Sequence, residues 1–339
     1  MASRALRAVA VAVLIFLVVQ VGALALVGPF DAAGYRAVQN PSDPTNSLVY
    51  LAAILVATGL MLAAFRYDFE RAVRAVVVLS STLLSWYVFS VVVPPAVPAR
   101  GAVAVACSLA VGAALVVYPE WYVIDAAGVL MGAGAAGLFG ISFGPLPAVV
   151  LLLALAVYDA ISVYGTRHML SLAGGVMDLR IPVVLVVPVT LSYSLLDDDF
   201  EDVDEVLEGE GTTEGRDGEV DGDGATDDGE ATEGDDGERD AFFIGLGDAV
   251  MPTVMVASAA AFSPAAPLGI GLLPALNLPA LCAMVGTLLG LLVLLRAVMG
   301  GRAHAGLPLL NGGAVGGYLA GSVLAGVPLV HAVGLAPYL

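Results

Sequence analysis

Long apolar runs recur along this chain, and more polar segments separate them. A helix needs about 20 mostly apolar residues to cross the hydrocarbon core of a bilayer. Inside that core every backbone N–H and C=O group must be paired within the protein, and a helix achieves this by itself. Of the 339 residues, 59% are hydrophobic, which exceeds the share in typical soluble domains. The sequence therefore predicts an all-α, polytopic membrane protein that resides in the lipid bilayer.

Nine membrane-spanning helices are predicted from these runs. The apolar segment 169–196 is not counted among them, because glycine, proline and charged residues interrupt it and favour an interfacial or amphipathic segment. The first run follows Arg4 and Arg7 as in a signal peptide, but its length of about 20 residues favours a retained span. The expected spans are residues 5–27, 47–65, 73–93, 101–118, 122–141, 146–167, 241–262, 273–296 and 306–325.

The arginines indicate how the spans are oriented. With nine spans and a cytoplasmic N-terminus, 11 of the 13 arginines lie on the inner face, and only Arg36 and Arg100 lie outside. This distribution follows the positive-inside rule, whereas a tenth span would place Arg296 and Arg302 outside. We therefore expect a multi-pass protein of the cell membrane whose C-terminus is extracytoplasmic.

One segment carries most of the charge. Residues 197–240 hold 22 acidic and two basic residues, which leaves nine acidic and eleven basic residues in the rest of the chain. This segment has too few apolar side chains to offset the entropic cost of ordering it. We expect a disordered cytoplasmic loop, and a regulatory or gating role is an alternative. The chain then divides into 1–167 with six helices, the segment 168–196, the loop 197–240, and 241–339 with three helices.

The residue types also limit the classes of site and partner. All 13 basic residues are arginine, and an acid-rich chain without lysine is typical of halophilic organisms. Cys107 and Cys282 lie in apolar runs, and the three histidines show no ligand spacing. We therefore predict no metal, no cofactor and no nucleic-acid partner. Asp125 is interpreted as an interfacial residue beside aromatic side chains, and Thr253 and Asn311 as hydrogen-bonding residues between helices.

Two aspartates lie inside apolar runs, Asp159 in the sixth span and Asp248 in the seventh. A carboxylate at the centre of a membrane helix costs roughly 2.5–3.5 kcal/mol on insertion scales, which makes such a residue a functional candidate. Asp159 lies eight residues before Arg167, and Asp248 lies seven residues after Ala241. Both of these boundaries are on the inner face, so a rise of 1.5 Å per residue places both carboxyl groups about 10–12 Å deep.

A pair of facing carboxyl groups can perform aspartic proteolysis. Like charges close together do not both ionise easily, so one group keeps its proton. The ionised group can act as a general base on water, while the protonated group polarises a carbonyl and later protonates the leaving amine. Three alternatives stay open on residue types alone: a proton- or cation-coupled secondary transporter, a buried structural pair, and a membrane scaffold.

The sequences around the two aspartates resemble those of a known family. A YD pair in the sixth span and GLGD in the seventh, separated by a long hydrophilic loop, resemble the presenilin and signal peptide peptidase proteases in their archaeal form. The resemblance implies a GxGD-type intramembrane aspartyl protease that cleaves transmembrane helices or remnant signal peptides, with Asp159 and Asp248 as the catalytic pair. The implied substrate contacts near this pair are Tyr158, Gly245, Leu246 and Gly247.

The family's third motif, Pro-Ala-Leu at the start of the ninth span, reads Ala305-Gly306-Leu307 here, and Pro308 follows. We expect Gly306, Leu307 and Pro308 to contact substrate. A proline near a helix start frees a backbone carbonyl that could pair with an extended chain, although an ordinary helix-start proline fits equally well. Literal copies of the motif occur at 274–276 and 279–281. Since the predicted topology places both copies on the outer face, we expect neither to take part in catalysis.

Overall fold

The structure is a computed structural model that describes residues 2–67, 69–166, 182–188, 241–298 and 305–336. The predicted acidic loop, residues 197–240, lies entirely outside the described residues, and so does most of the predicted interfacial segment. Within the described ranges the chain is mostly helical, as the hydrophobic pattern predicts.

The helices follow the apolar runs closely. The first six are α1 (Ala2–Ala32), α2 (Thr45–Arg66), α3 (Glu70–Val92), α4 (Arg100–Val117), α5 (Trp121–Ser142) and α6 (Pro145–Ile161). A π-helical turn, Ser162–Thr166, extends α6. The later helices are α7 (Leu246–Phe262), α8 (Leu278–Val298), α9 (Gly306–Leu324) and the short α10 (Leu329–Ala332).

Among the described residues, eight helices are long and apolar enough to cross a membrane, namely α1–α6, α8 and α9. The remaining predicted span corresponds to α7, which is apolar but has only 17 residues. The polytopic helical fold is therefore confirmed. The difference lies at the start of the seventh span, because the chain over Ala241–Gly245 is a strand and not a helix.

A two-stranded antiparallel sheet precedes α7. Strand β1 (Val184–Pro188) pairs with β2 (Ala241–Gly245), so that Val184 lies opposite Gly245. The all-α prediction did not include this sheet. Both strands are five-residue apolar stretches, and periodicity does not distinguish such a stretch from part of a buried helix. Strand β1 falls within the predicted interfacial segment, and β2 falls within the predicted seventh span.

Helix α5 lies at the centre of the structure, where it packs against α1, α3, α7 and β1. Asp125 on α5 accepts a hydrogen bond of 2.7 Å from the Val186 N–H and thereby holds β1 against this helix. Gly128 and Gly132 on α5 leave room for the side chain of Leu246 at the start of α7. The sheet and the first turn of α7 are therefore positioned by the same helix.

Helices α8 and α9 form the most extensive helix pair in the described part of the chain. Gly286 on α8 faces Gly313 on α9, and Gly290 faces Leu309, so closely that a Cβ atom at either α8 glycine would overlap the opposite backbone. Small residues allow membrane helices to approach in this way. The close packing fixes where α9 begins relative to the other helices.

Candidate active site

Asp159 lies near the C-terminal end of α6 and is 4% exposed. Its Oδ2 atom accepts a hydrogen bond of 3.0 Å from the Leu307 N–H, and the Gly306 N–H also interacts with this carboxyl group. The first N–H groups of a helix have no acceptor within the helix. Because the N-cap residue Ala305 supplies no side-chain hydrogen bond, Asp159 caps α9 from the neighbouring helix.

Asp248 lies in the first turn of α7, directly after β2, and is half-buried. Its Oδ2 atom lies 3.4 Å from the position that a Cβ atom would take at Gly306, and 3.4 Å from the corresponding position at Gly245. A helix N-terminus favours negative charge in its first turn. Asp248 is therefore placed between the N-cap of its own helix and the start of α9.

The two carboxyl groups converge on one stretch of backbone. Asp159 binds Leu307, Asp248 lies against Gly306, and the two carboxyl groups also interact electrostatically. Helix α6 packs against both α7 and α9, which brings the three chain segments together. A pair of acids in this arrangement can exchange protons with a water molecule and a peptide bond, as general acid–base hydrolysis requires.

The predicted residues around Asp248 divide into two groups. Gly245 and Gly247 are exposed, and a Cβ atom at Gly247 would meet nothing within 4 Å, so both leave room for another chain beside the carboxyl group. Leu246 differs, because its side chain is buried against the glycines of α5. Tyr158 is half-buried and is rotated about 100° around α6 from its neighbour Asp159.

In the segment predicted to replace the family's third motif, Leu307 donates to Asp159 and Gly306 lies beside Asp248. Pro308 is the third residue of α9, where a backbone N–H would have no partner within the helix in any case. Among the literal copies, Pro279 lies against Gly321. Gly321 is 15 residues after Gly306 on α9, which corresponds to about 22 Å of helix rise. The literal copy at 279–281 is therefore remote from both aspartates.

Two polar residues of the site region were not predicted from the sequence. Tyr164 lies in the π-helical turn after α6, and its hydroxyl oxygen accepts a hydrogen bond of 3.2 Å from the Ala305 N–H. No feature of the amino-acid pattern indicates a π-helical turn there. Asp125, interpreted as interfacial, also accepts a hydrogen bond from the Val186 N–H and holds β1. The sequence does contain an indication of this role, because a carboxyl group inside an apolar run requires a hydrogen-bond partner.

Two other polar predictions have different outcomes. Asn311 donates a hydrogen bond of 3.0 Å to the Leu152 carbonyl, which joins α9 to α6 as expected. Thr253 was expected to join helices, but its hydroxyl donates to the Ala249 carbonyl of its own helix. A buried threonine can satisfy its hydroxyl on the preceding turn without any partner helix. Within the described ranges, no three His, Cys, Asp or Glu side chains are grouped to hold a metal ion.

Known proteins of one family are similar to this chain. Residues 13–327, which include both aspartates, match the family described as signal-peptide peptidase, presenilin aspartyl protease. A solved structure of a presenilin family intramembrane aspartate protease in space group C222 is similar, with 32% identity, a TM-score of 0.60, and coverage of 93% of this chain and 99% of that chain. Another such structure, in space group P2, has 33% identity, a TM-score of 0.57, and coverage of 92% and 96%. No curated protein matches the chain.

Proposed function

The chain belongs to the signal peptide peptidase and presenilin family and is an intramembrane aspartyl protease, and from this we propose that Asp159 and Asp248 are its catalytic residues, of the GxGD type. The observation that supports this assignment is the convergence of both carboxyl groups on the Gly306–Leu307 backbone. Three separate helices supply these groups, so their meeting does not follow from local sequence.

The proposed reaction uses one ionised and one protonated carboxyl group. The ionised group takes a proton from water as the water oxygen attacks the carbonyl carbon, and the protonated group donates a hydrogen bond to the carbonyl oxygen. The tetrahedral intermediate then collapses, the C–N bond breaks, and a proton from the pair passes to the leaving amine. The products are a carboxyl terminus and an amino terminus, and the pair is left with one proton, as at the start.

The proposed substrate is a transmembrane helix that opens locally into an extended chain. A helix holds its amides in internal hydrogen bonds, so unwinding has to precede hydrolysis. The Leu246 N–H donates a hydrogen bond to the Val183 carbonyl, so the adjacent pair, Val184 and Gly245, is one whose backbone groups point away from the partner strand. Gly245 therefore directs its backbone groups away from β1. An extended substrate along this edge of β2 would lie beside Asp248.

Small residues support this placement. Gly245, Gly247 and Gly306 have no side chains to block the approach of a substrate to the carboxyl groups. Leu307 supplies its N–H to Asp159, and we propose that the exposed part of its half-buried side chain contacts the substrate. We propose that Tyr158 and Pro308 contact the substrate farther from the carboxyl groups, because neither is seen against a carboxyl group. Leu246 faces the core and is left out of the proposed substrate surface.

The positions of the arginines support access from the cytoplasm. We propose that the N-terminus, the acidic loop and the opening to the carboxyl pair all lie on the cytoplasmic side of the cell membrane. The lysine-free, acid-rich composition supports a halophilic origin. The proposed orientation can be tested by labelling engineered cysteines from either side of sealed vesicles.

The catalytic assignment is tested with purified protein and a model transmembrane peptide. Asp159→Asn and Asp248→Asn should each lower the cleavage rate by about 10²–10⁴-fold, because each removes a group that transfers a proton in the reaction. Asp31→Asn is a matched control, since Asp31 is a carboxyl group in an ion pair with Arg36, away from the site. Full activity in either dyad variant contradicts the assignment, and proton or cation flux without cleavage supports a transporter.

The pH profile gives a second test. Because the pair needs one proton and one charge, the cleavage rate should fall on both sides of an optimum, with two apparent constants that belong to the pair. A single-turnover assay in detergent at a series of pH values measures this profile. A rate that stays constant across the range contradicts the shared-proton mechanism.

A further inference from the structure

Tyr164 lies where the chain leaves the regular helix that carries Asp159. Helix α6 ends at Ile161, and the π-helical turn Ser162–Thr166 continues it. In a regular α-helix, Tyr164 would be rotated about 140° around the axis from Asp159, five residues earlier. The wider π-helical turn reduces this rotation, and such turns are frequent at functional sites. The turn brings a second α6 side chain toward the start of α9.

The helix α6 and its extension therefore bind the start of α9 at two points. Asp159 accepts the Leu307 N–H at 3.0 Å, and the Tyr164 hydroxyl oxygen accepts the Ala305 N–H at 3.2 Å. Between these two bonds lies Gly306, the residue against which Asp248 is placed. A movement of Ala305 would therefore move both backbone groups that the carboxyl pair contacts.

The Ala305 N–H needs an acceptor at this place. Ala305 is 4% exposed and precedes the first turn of α9, so its N–H has no carbonyl within the helix. A buried N–H without a partner destabilises the structure by more than a typical hydrogen bond stabilises it. A proline, which the family's motif has here, would carry no N–H at all. In this chain alanine keeps the donor, and the tyrosine hydroxyl accepts from it.

We propose that Tyr164 is a positioning residue of the active site, whose hydroxyl compensates for the absence of proline at position 305 and thereby holds the Leu307 N–H on Asp159. This rests on the proposed catalytic role of Asp159 and Asp248. Tyr164 is 65% exposed, as in a tyrosine at a membrane interface. An interfacial role requires no particular residue at position 305, whereas the positioning role does.

A double-mutant cycle separates these two roles. Tyr164→Phe removes the acceptor, and Ala305→Pro removes the donor. Ala305 has φ −64° and ψ 121°, which a proline adopts without strain. We expect Tyr164→Phe alone to lower kcat by about tenfold with KM unchanged, because the Ala305 N–H is left unpaired beside the site. In the Ala305→Pro background the same substitution should change kcat by less than about twofold.

Tyr67→Phe is the matched control, since Tyr67 is also a surface tyrosine, 67% exposed, at the end of α2. It should leave kcat and KM unchanged in both backgrounds. An equal loss in the two backgrounds, no loss in either, or a rise in KM alone overturns the proposal. If Asp159→Asn retains full activity, the proposed carboxyl pair is itself disproved, whatever the effect of Tyr164→Phe.

Hydrogen exchange gives a readout that does not depend on turnover. In Tyr164→Phe, the amides of the first turn of α9 should exchange faster than in the unmodified protein, while the amides of α8 should be unchanged. Unchanged exchange at the start of α9 overturns the proposal, even if the Ala305→Pro protein cannot be purified. The measurement is made on the full chain in the same detergent as the cleavage assay.

Discussion

The two ends of the α8–α9 helix pair differ in sequence and in geometry. At one end, the literal Pro279-Ala280-Leu281 opens α8, and Pro279 lies against Gly321. At the other end, α9 begins with Gly306 and Leu307, which lie at the two carboxyl groups without matching the motif literally. The position of a helix start, more than its amino-acid sequence, therefore determines whether it lies at the carboxyl groups.

The physical basis is that proline, alanine and leucine contribute no acid or base. A helix start contributes unpaired N–H groups, and a small residue contributes space beside the carboxyl groups. The start of α9 offers both through the Leu307 N–H and Gly306. The start of α8 has its own cap, since the Asn277 side chain accepts the Ala280 N–H at 2.9 Å. The α8 start thus has a local acceptor, whereas α9 relies on groups from α6.

Gly306→Val should have the largest effect of the substitutions that compare these ends. A Cβ atom there would already lie 3.3 Å from Leu294 and 3.4 Å from Asp248 Oδ2, and two further methyl groups would displace the carboxyl group. We expect a loss of about 10–100-fold in cleavage rate, in keeping with 1–3 kcal/mol for overpacking.

The control is Gly316→Val on the same helix, where a Cβ atom would meet nothing within 4 Å. Both variants are compared by initial cleavage rate at equal amounts of monodisperse, folded protein. Equal activity in the two would show that the space at Gly306 is not required, and the comparison between the helix ends would lose its basis.

Leu307→Ala should have an intermediate effect, of about three- to tenfold on cleavage rate. The N–H to Asp159 is retained, but the part-buried side chain that packs on the core is shortened. Pro308→Ala should cost less than about threefold, because proline at this early helical position gives up no internal hydrogen bond. Steady-state kinetics on one peptide substrate distinguishes the two. A larger loss for Pro308→Ala would assign the proline a direct substrate contact.

Pro274→Ala and Pro279→Ala should leave the cleavage rate within about twofold of the unmodified protein, since Pro279 packs about 22 Å from the start of α9 that meets the carboxyl groups. The cleavage rate of Pro279→Ala is compared with that of Pro308→Ala under identical expression and detergent conditions. If either of these variants loses activity while its melting temperature stays normal, that end of the helix pair lies near the substrate, and the comparison between the two ends is wrong.

Deletion of residues 205–236 should have the smallest effect at either end. The segment is almost entirely polar and charged, so we expect it to add little packing to the helices. Membrane insertion and cleavage of the model peptide should both persist. Complete loss of cleavage in a correctly inserted deletion variant would show that the loop gates or orders the site.

The helical spans and the two candidate aspartates can be predicted from the amino-acid sequence alone. Both follow from the cost of transferring groups into lipid, which depends on residue type and run length along the chain. The sequence alone did not determine β1 and β2, because five apolar residues are compatible with a strand or with a helix. The choice between them depends on α5, whose Asp125 accepts the Val186 N–H from 61 residues away in sequence.

The way in which the start of α9 is held depends on contacts between distant parts of the chain. The Asp159–Leu307 and Tyr164–Ala305 hydrogen bonds join residues 148 and 141 positions apart. Their formation depends on the packing of α9 against α6 and on a π-helical turn, neither of which leaves a periodic signal in the sequence. Residue types thus select which groups can react, whereas helix packing selects which backbone groups lie beside them.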